Sequence, residues 1–144
     1  MQNHPDSGKL KEIEKDLLDA LMNYRDEKTG LWYEVLDKPD GEGNWIESSC
    51  SCLFVYAYAK AINMGIADAE KYSVVLEKAY NSLISSLGYE DGFVVLDNIC
   101  IGTCIEEGTY DYYIKRPVTK NDLHGSGAFV LMCEAVQRYF DFKK

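Results

Sequence analysis

The run from Cys50 to Gly65, CSCLFVYAYAKAINMG, limits the fold more than any other stretch. It is apolar almost all the way round, and a helix of that kind is buried on every side. Other elements must therefore surround it. Glu47-Ser48-Ser49 opens the helix, where a serine can cap the exposed backbone N–H groups. Met64-Gly65 ends it, with glycine in the usual C-terminal position. The neighbours follow from periodicity. Leu10, Ile13, Leu17, Leu21 and Tyr24 recur at three- and four-residue steps between charged residues, which predicts a one-sided helix from Lys9 to near Arg25. Residues 68–87 carry a second stripe: Tyr72, Val75, Leu76, Ala79, Tyr80, Leu83 and Leu87. A fourth helix is expected from about Gly125 to Phe140, with Phe129, Met132, Cys133, Val136 and Phe140 facing one way. Small residues at its start, Gly125, Ser126, Gly127 and Ala128, permit close approach of another backbone or a ligand. The predicted class is all-α, with about four main helices alternating between outer and inner positions, as in a ring of helical hairpins.

Two long stretches, 26–46 and 88–124, each precede one of the more buried helices. Both would open at the same end of the ring, where a pocket would be. Structureless loops beyond about 12–15 residues are usually functional or disordered, and the aromatic content of the second one argues against disorder. In the first loop, Leu31 to Leu36 reads as a short extended segment and Pro39-Asp40-Gly41 as a turn. Trp32 and Trp45 either form a stacking platform for a sugar ring or plug the gap between helices. The second loop has a short strand at Phe93 to Leu96. Its Tyr110, Tyr112 and Tyr113 would alternate sides if extended. Lys115-Arg116 either meets an acidic sugar or is a solvated pair. Asn121 and Asp122 shape a turn and cap the next helix, or bind. His124 could hydrogen-bond a sugar hydroxyl or carboxylate, or brace the loop. The candidate substrate-binding residues are thus Trp32, Trp45, Tyr112, Asn121 and His124, with Glu47 read as structural.

At 144 residues the chain is expected to be one domain, residues 1–144. A net charge of −9 with scattered basic residues opposes nucleic-acid binding. No apolar run reaches the roughly 18–20 residues that span a membrane. The N-terminal MQNHPDSGKLKEIEKD lacks the apolar core of a signal peptide, so a cytoplasmic location is expected. Five cysteines, an odd number, favour free thiols. Cys50 and Cys52, two apart on a helix, would lie on nearly opposite faces. Cys100 and Cys104 could approach each other in a loop. With only His4 and His124 to join them, neither a metal site nor a cofactor is expected.

Several motifs carry a family resemblance. They are Gly30-Leu-Trp-Tyr-Glu-Val-Leu-Asp-Lys-Pro-Asp, Asn44-Trp-Ile-Glu-Ser-Ser-Cys-Ser-Cys-Leu-Phe-Val-Tyr-Ala-Tyr-Ala-Lys, Asp91-Gly, Asn98-Ile-Cys, Gly108-Thr-Tyr-Asp-Tyr-Tyr, Pro117 and Asn121-Asp-Leu-His-Gly-Ser-Gly-Ala-Phe. Over roughly residues 10–140, in order, they resemble the C-terminal part of glycoside hydrolase family 105, the unsaturated rhamnogalacturonyl hydrolases. The related family 88 contains the unsaturated glucuronyl hydrolases. The resemblance implies a six-hairpin α/α toroid, present here in part. It also implies removal of 4,5-unsaturated galacturonyl residues from pectin-derived oligosaccharides. In such enzymes an aspartate acts as general acid and base to hydrate the C4–C5 double bond, and the resulting hemiketal opens with loss of the glycosidic bond. That aspartate belongs to the N-terminal half of family members, as does a Trp-x-Arg-Gly-Asn-Gly-Trp segment. Neither motif occurs in these 144 residues. Asp37, Asp91, Asp97, Asp111 and Asp122 match no catalytic position, so no catalytic residue is carried over.

The first expectation is therefore a C-terminal portion or shortened paralogue, inactive alone. Its inner helices would self-associate or recruit an N-terminal partner to complete the ring. The alternative is a non-catalytic module that binds acidic oligosaccharide or another protein through its aromatic loops.

Overall fold

In the computed structural model, which describes residues 4–102 and 107–143, the apolar run is the helix at the centre. We number the elements α1 (Ser7–Asn23), α2 (Ser48–Asn63), α3 (Ala69–Ser86), β1 (Gly88–Glu90), β2 (Phe93–Val95), β3 (Ile99–Cys100), α4 (Tyr110–Ile114), β4 (Val118–Thr119) and α5 (Leu123–Phe142). Helix α2 packs against α5, α3 and α1, with its most extensive contact on α5. Cys52, Val55, Tyr58, Ala59 and Ala61 are sealed in the core with Trp32, Leu76, Leu83, Met132 and Val136. Polar tips of buried and half-buried residues link the helices. The Tyr58 hydroxyl donates to the Leu18 carbonyl at 2.6 Å, Asn63 Nδ2 donates to the Ala135 carbonyl at 2.9 Å, and the Tyr72 hydroxyl donates to Asp19 Oδ1 at 2.7 Å. Each bond satisfies a group that would otherwise lose its water on burial.

Four long helices stand where periodicity places them, within a few residues at each end. The stripe of α3 is buried at Tyr72, Val75, Leu76, Ala79 and Leu83. Helix α1 departs from expectation. It buries Leu18 and Leu21, whereas Leu10, Ile13, Leu17 and Tyr24 of the predicted stripe are 58, 55, 51 and 46% exposed. The bonds from Tyr58 and Tyr72 both reach α1 at positions 18–19, so the body holds its C-terminal half and leaves the first turns clear. Periodicity shows that a face is apolar; it does not show which neighbour covers it.

The 88–124 stretch contains more regular structure than the single strand expected. β1 and β2 form a tight hairpin with Asp91 and Gly92 at positive φ, and β3 pairs with β4. Tyr110, Tyr112 and Tyr113 lie in the short helix α4, not in extended chain, so they do not alternate sides. Thr109 makes the difference: its Oγ1 accepts from the Tyr112 N–H at 3.3 Å and caps that turn. In the first loop, Leu31–Leu36 is reduced to isolated bridges at Arg25–Trp32 and Tyr33–Ile46.

Gly125, in the first turn of α5, lets β3 rest directly on that helix. A Cβ there would stand 2.6 Å from Ile99 Cδ1 and 2.8 Å from its Cγ1, and Ile99 is fully buried. Gly125 thus serves a contact with the chain's own strand, whereas a Cβ on Gly127 would meet nothing within 4 Å.

Candidate functional site at the joined loops

Glu47 forms the joint. It is the residue that caps α2, where the sequence points to a serine; Ser48 and Ser49 already lie inside the helix. Its carboxylate accepts from the Cys50 N–H at 2.5 Å, from the Ser49 hydroxyl at 2.9 Å and from the Cys100 N–H at 3.0 Å. The last bond crosses from the first loop to β3 in the second. The Ser48 N–H also donates to the Asn98 carbonyl at 2.9 Å. Since Gly125 holds β3 against α5, the N-terminal ends of α2 and α5 and both long loops meet at one end of the molecule. A second joint lies further out. The Tyr110 hydroxyl donates to the Glu42 carbonyl at 3.1 Å, and a Cβ on Gly41 would sit 2.1 Å from that hydroxyl oxygen.

Glu34 lies in the same region. The Glu34 N–H donates to the Trp45 carbonyl at 2.9 Å and the Glu47 N–H to the Trp32 carbonyl at 3.0 Å, so residues 32–34 and 45–47 run as a short antiparallel ladder. Asn44 fixes its turn: Oδ1 accepts from the Val35 N–H at 3.2 Å, and Nδ2 donates to the Val35 and Lys38 carbonyls at 3.0 and 2.8 Å. Burial first, and then the charge of Glu47, raise the Glu34 carboxyl above its ordinary range, while a bond from the Cys100 side chain and the charge of Arg116 oppose this. Burial, reinforced by Glu47, likewise pushes the Cys50 thiol well up, which leaves it protonated and a poor nucleophile.

Arg116 closes the outer side. Its Nε and Nη2 both donate to the Gly102 carbonyl, Nη1 donates to the Tyr112 hydroxyl at 3.3 Å, and the guanidinium lies 5.2 Å from the Tyr112 ring centroid. Glu107, Asp111, Tyr112, Lys115 and Arg116 line a shallow open depression of about 350 Å³. Lys115 is paired with Asp111 at 2.8 Å. A guanidinium over a phenol ring at an open mouth can hold a polyhydroxylated or acidic ligand.

A pH effect follows from Glu34. Its folded-state pKa lies above the unfolded one, so the folded chain binds more protons between the two values, and Glu34 reduces stability as pH rises through that window. Glu34→Gln should therefore raise the melting temperature by about 2 °C at pH 7.5 and change it little at pH 4. Thermal melts at the two pH values check this; an equal shift at both would contradict the ionic origin.

Comparison with known proteins extends the picture. The sequence model of Glycosyl Hydrolase Family 88 matches residues 1–140. The chain belongs to that family. A family 105 glycoside hydrolase of C. acetobutylicum is 30% identical and superposes with a TM-score of 0.88 over 98% of this family 88 chain and 40% of its own. A family 88 glycosyl hydrolase from Bacteroides vulgatus, 22% identical, shares the fold with a TM-score of 0.74 over 95% of this chain and 37% of its own. A 24.9 kDa protein in the picA locus of Rhizobium radiobacter is 28% identical over 87% of this chain. This family 88 chain spans 58% of the length of the curated relatives it matches. Its four long helices are part of an α/α toroid.

The structure separates the five residues singled out for sugar binding. Trp32 has no exposed surface; its indole N–H donates to the Leu21 carbonyl at 2.9 Å and its ring packs on Phe54 and Tyr58. It plugs the core and offers no stacking face. Asn121, at φ 51°, accepts from the Leu96 N–H at 2.8 Å through Oδ1 and donates to the Val94 carbonyl at 3.0 Å through Nδ2. It clamps β2, as the turn-shaping reading has it. Trp45 is half-buried in the ladder, and its indole N–H is buried without a hydrogen-bond partner among the described residues. Tyr112 is at the mouth under Arg116. His124 is exposed in the first turn of α5, its Nδ1 2.5 Å from Oδ1 of Asp122, the helix cap. The sequence reading passed over Glu34. An acidic residue inside the otherwise apolar Leu31–Leu36 was the available signal.

Cys50, Cys52 and Cys133 are free thiols, and Cys104 lies outside the described residues, as would any approach of Cys100 to it. Among the described residues no group of three His, Cys, Asp or Glu is placed to hold a metal ion, and no helix is long and apolar enough to cross a membrane.

Proposed function

We propose that this chain forms the C-terminal wall of an unsaturated-uronyl hydrolase and does not turn over substrate by itself. The observation that carries the reading is the superposition on the 30%-identical family 105 hydrolase: it takes in 98% of this chain but 40% of that enzyme. The substrate class is a 4,5-unsaturated galacturonyl unit at the end of a pectin-derived oligosaccharide. Hydrating its double bond needs a group that delivers a proton to one carbon while water is activated at the other. The mouth built here has a different character. Glu47 is 2% exposed and saturated by donors, so it cannot reach a sugar. Glu34 is flanked by Glu47, Cys100 and Arg116. Tyr112 and Arg116 can position an acidic sugar, while the acid/base aspartate comes from ring elements beyond these 144 residues.

The test is incubation of the purified chain with a 4,5-unsaturated uronyl disaccharide, following the ultraviolet absorbance of the conjugated double bond. The expected result is no loss of absorbance, even at high protein concentration. A loss that scales with protein and disappears in an Asp111→Asn or Asp122→Asn variant would overturn the reading, because it would place the acid/base group within this chain.

A further inference from the structure

The first half of α1 presents an apolar helix face that no other described residue covers. From Asp6 to Leu17 every residue except Ser7 and Glu14 is exposed, although Leu10, Ile13 and Leu17 follow the three-then-four spacing of a two-helix seam. The charges beside the seam are self-complementary. Lys9 and Asp16 flank it on one side, and neither makes an ion pair within the chain among the described residues. When two such helices run antiparallel with Leu10 of one against Ile13 of the other, the same spacing brings Lys9 of each beside Asp16 of its partner. The antiparallel sense also suits the body: only the C-terminal half of α1 is held by α2 and α3, so the two bodies fall at opposite ends of the pair. A parallel pair would bring both bodies to the same end.

We infer that α1 is a docking surface for a second copy of this chain, through an isologous antiparallel pair of α1 helices over residues 6–17. The pairing does not depend on the hydrolase reading, so the two can fail separately. The contact is small, and the dimer is concentration-dependent.

Sedimentation equilibrium of the full chain tests it, with circular dichroism and thermal melting as controls for folding. The wild type should populate a dimer as concentration rises. Ile13→Glu, at an exposed position, should weaken dimerisation about a hundredfold while leaving the helix content unchanged. Lys9→Asp alone and Asp16→Lys alone should each weaken it about tenfold, since each turns two attractive contacts repulsive. The combined Lys9→Asp, Asp16→Lys chain should recover wild-type association, because the antiparallel register restores both pairs. A wild type that stays monomeric at every concentration overturns the proposal. So does a dimer that survives Ile13→Glu, an assembly larger than two, or a combined variant as weak as the single ones.

Discussion

Glu47→Ala is expected to lower the unfolding free energy by about 3 kcal/mol and the melting temperature by about 10 °C. The carboxylate is 2% exposed and accepts from the Ser49 hydroxyl and from the backbone N–H groups of Cys50 and Cys100. The serine hydroxyl can rotate to another acceptor. The two backbone donors cannot, and an unpaired buried donor costs about 1–3 kcal/mol. The bond from the Cys50 N–H is itself the cap on α2, so the loss of the cap is already counted among these donors. Relief from burying a carboxylate offsets part of this. Glu47→Gln sharpens the test, because the amide keeps the shape and one acceptor oxygen but sets its NH₂ against a backbone N–H. It should fall between alanine and wild type. Denaturant titration of the three chains decides the matter; a shift of less than about 1 kcal/mol for alanine would mean that the joint between the loops is held by something else.

Trp32→Ala should cost still more, about 3–5 kcal/mol, the range for removing a buried aromatic side chain. The ring contacts Phe54 edge-on at 5.2 Å and stacks on Tyr58 at 6.2 Å, both on α2, so its loss opens a cavity against the central helix. Trp32→Phe separates packing from hydrogen bonding. It removes the bond to the Leu21 carbonyl, but that oxygen still accepts from the Tyr24 N–H at 3.3 Å. The expected cost of the phenylalanine variant is about 1–2 kcal/mol. A tryptophan kept as a stacking platform would behave in the opposite way: alanine would leave stability nearly unchanged. Urea unfolding of both variants distinguishes the two roles.

These two residues also show what can be read without a structure. The segment from Leu31 to Glu47 is apolar, aromatic and acidic by turns, and local pattern alone assigns it a loop. A loop tryptophan can face either way, because local pattern contains no information on where the nearest helix lies. Helix α2 meets the indole from across the fold and decides its role. Glu47 was legible as structural from its place beside the serines, but its third partner, the Cys100 N–H, lies 53 residues away. No short-range rule could supply that bond. Asn121 is similar: a turn residue by type, committed by the carbonyl and N–H groups of residues 94–96.

The sequence by itself determined the all-α class, the four long helices, the central place of the Cys50–Gly65 run and, through motifs spread along the chain, the family. Those properties arise from hydrophobic periodicity and local residue chemistry, which act over a few residues and are written directly in their order. Only the tertiary structure decided that Glu34, Glu47, Cys100 and Arg116 come together where the two long loops join, and that Trp32 belongs to the core. It alone showed that the apolar face at the start of α1 is left exposed among the described residues. Each of these depends on which distant surface comes to cover a side chain. That is settled when long-range packing fixes the burial of every group, and a polar or charged atom is held only where a partner has come to meet it.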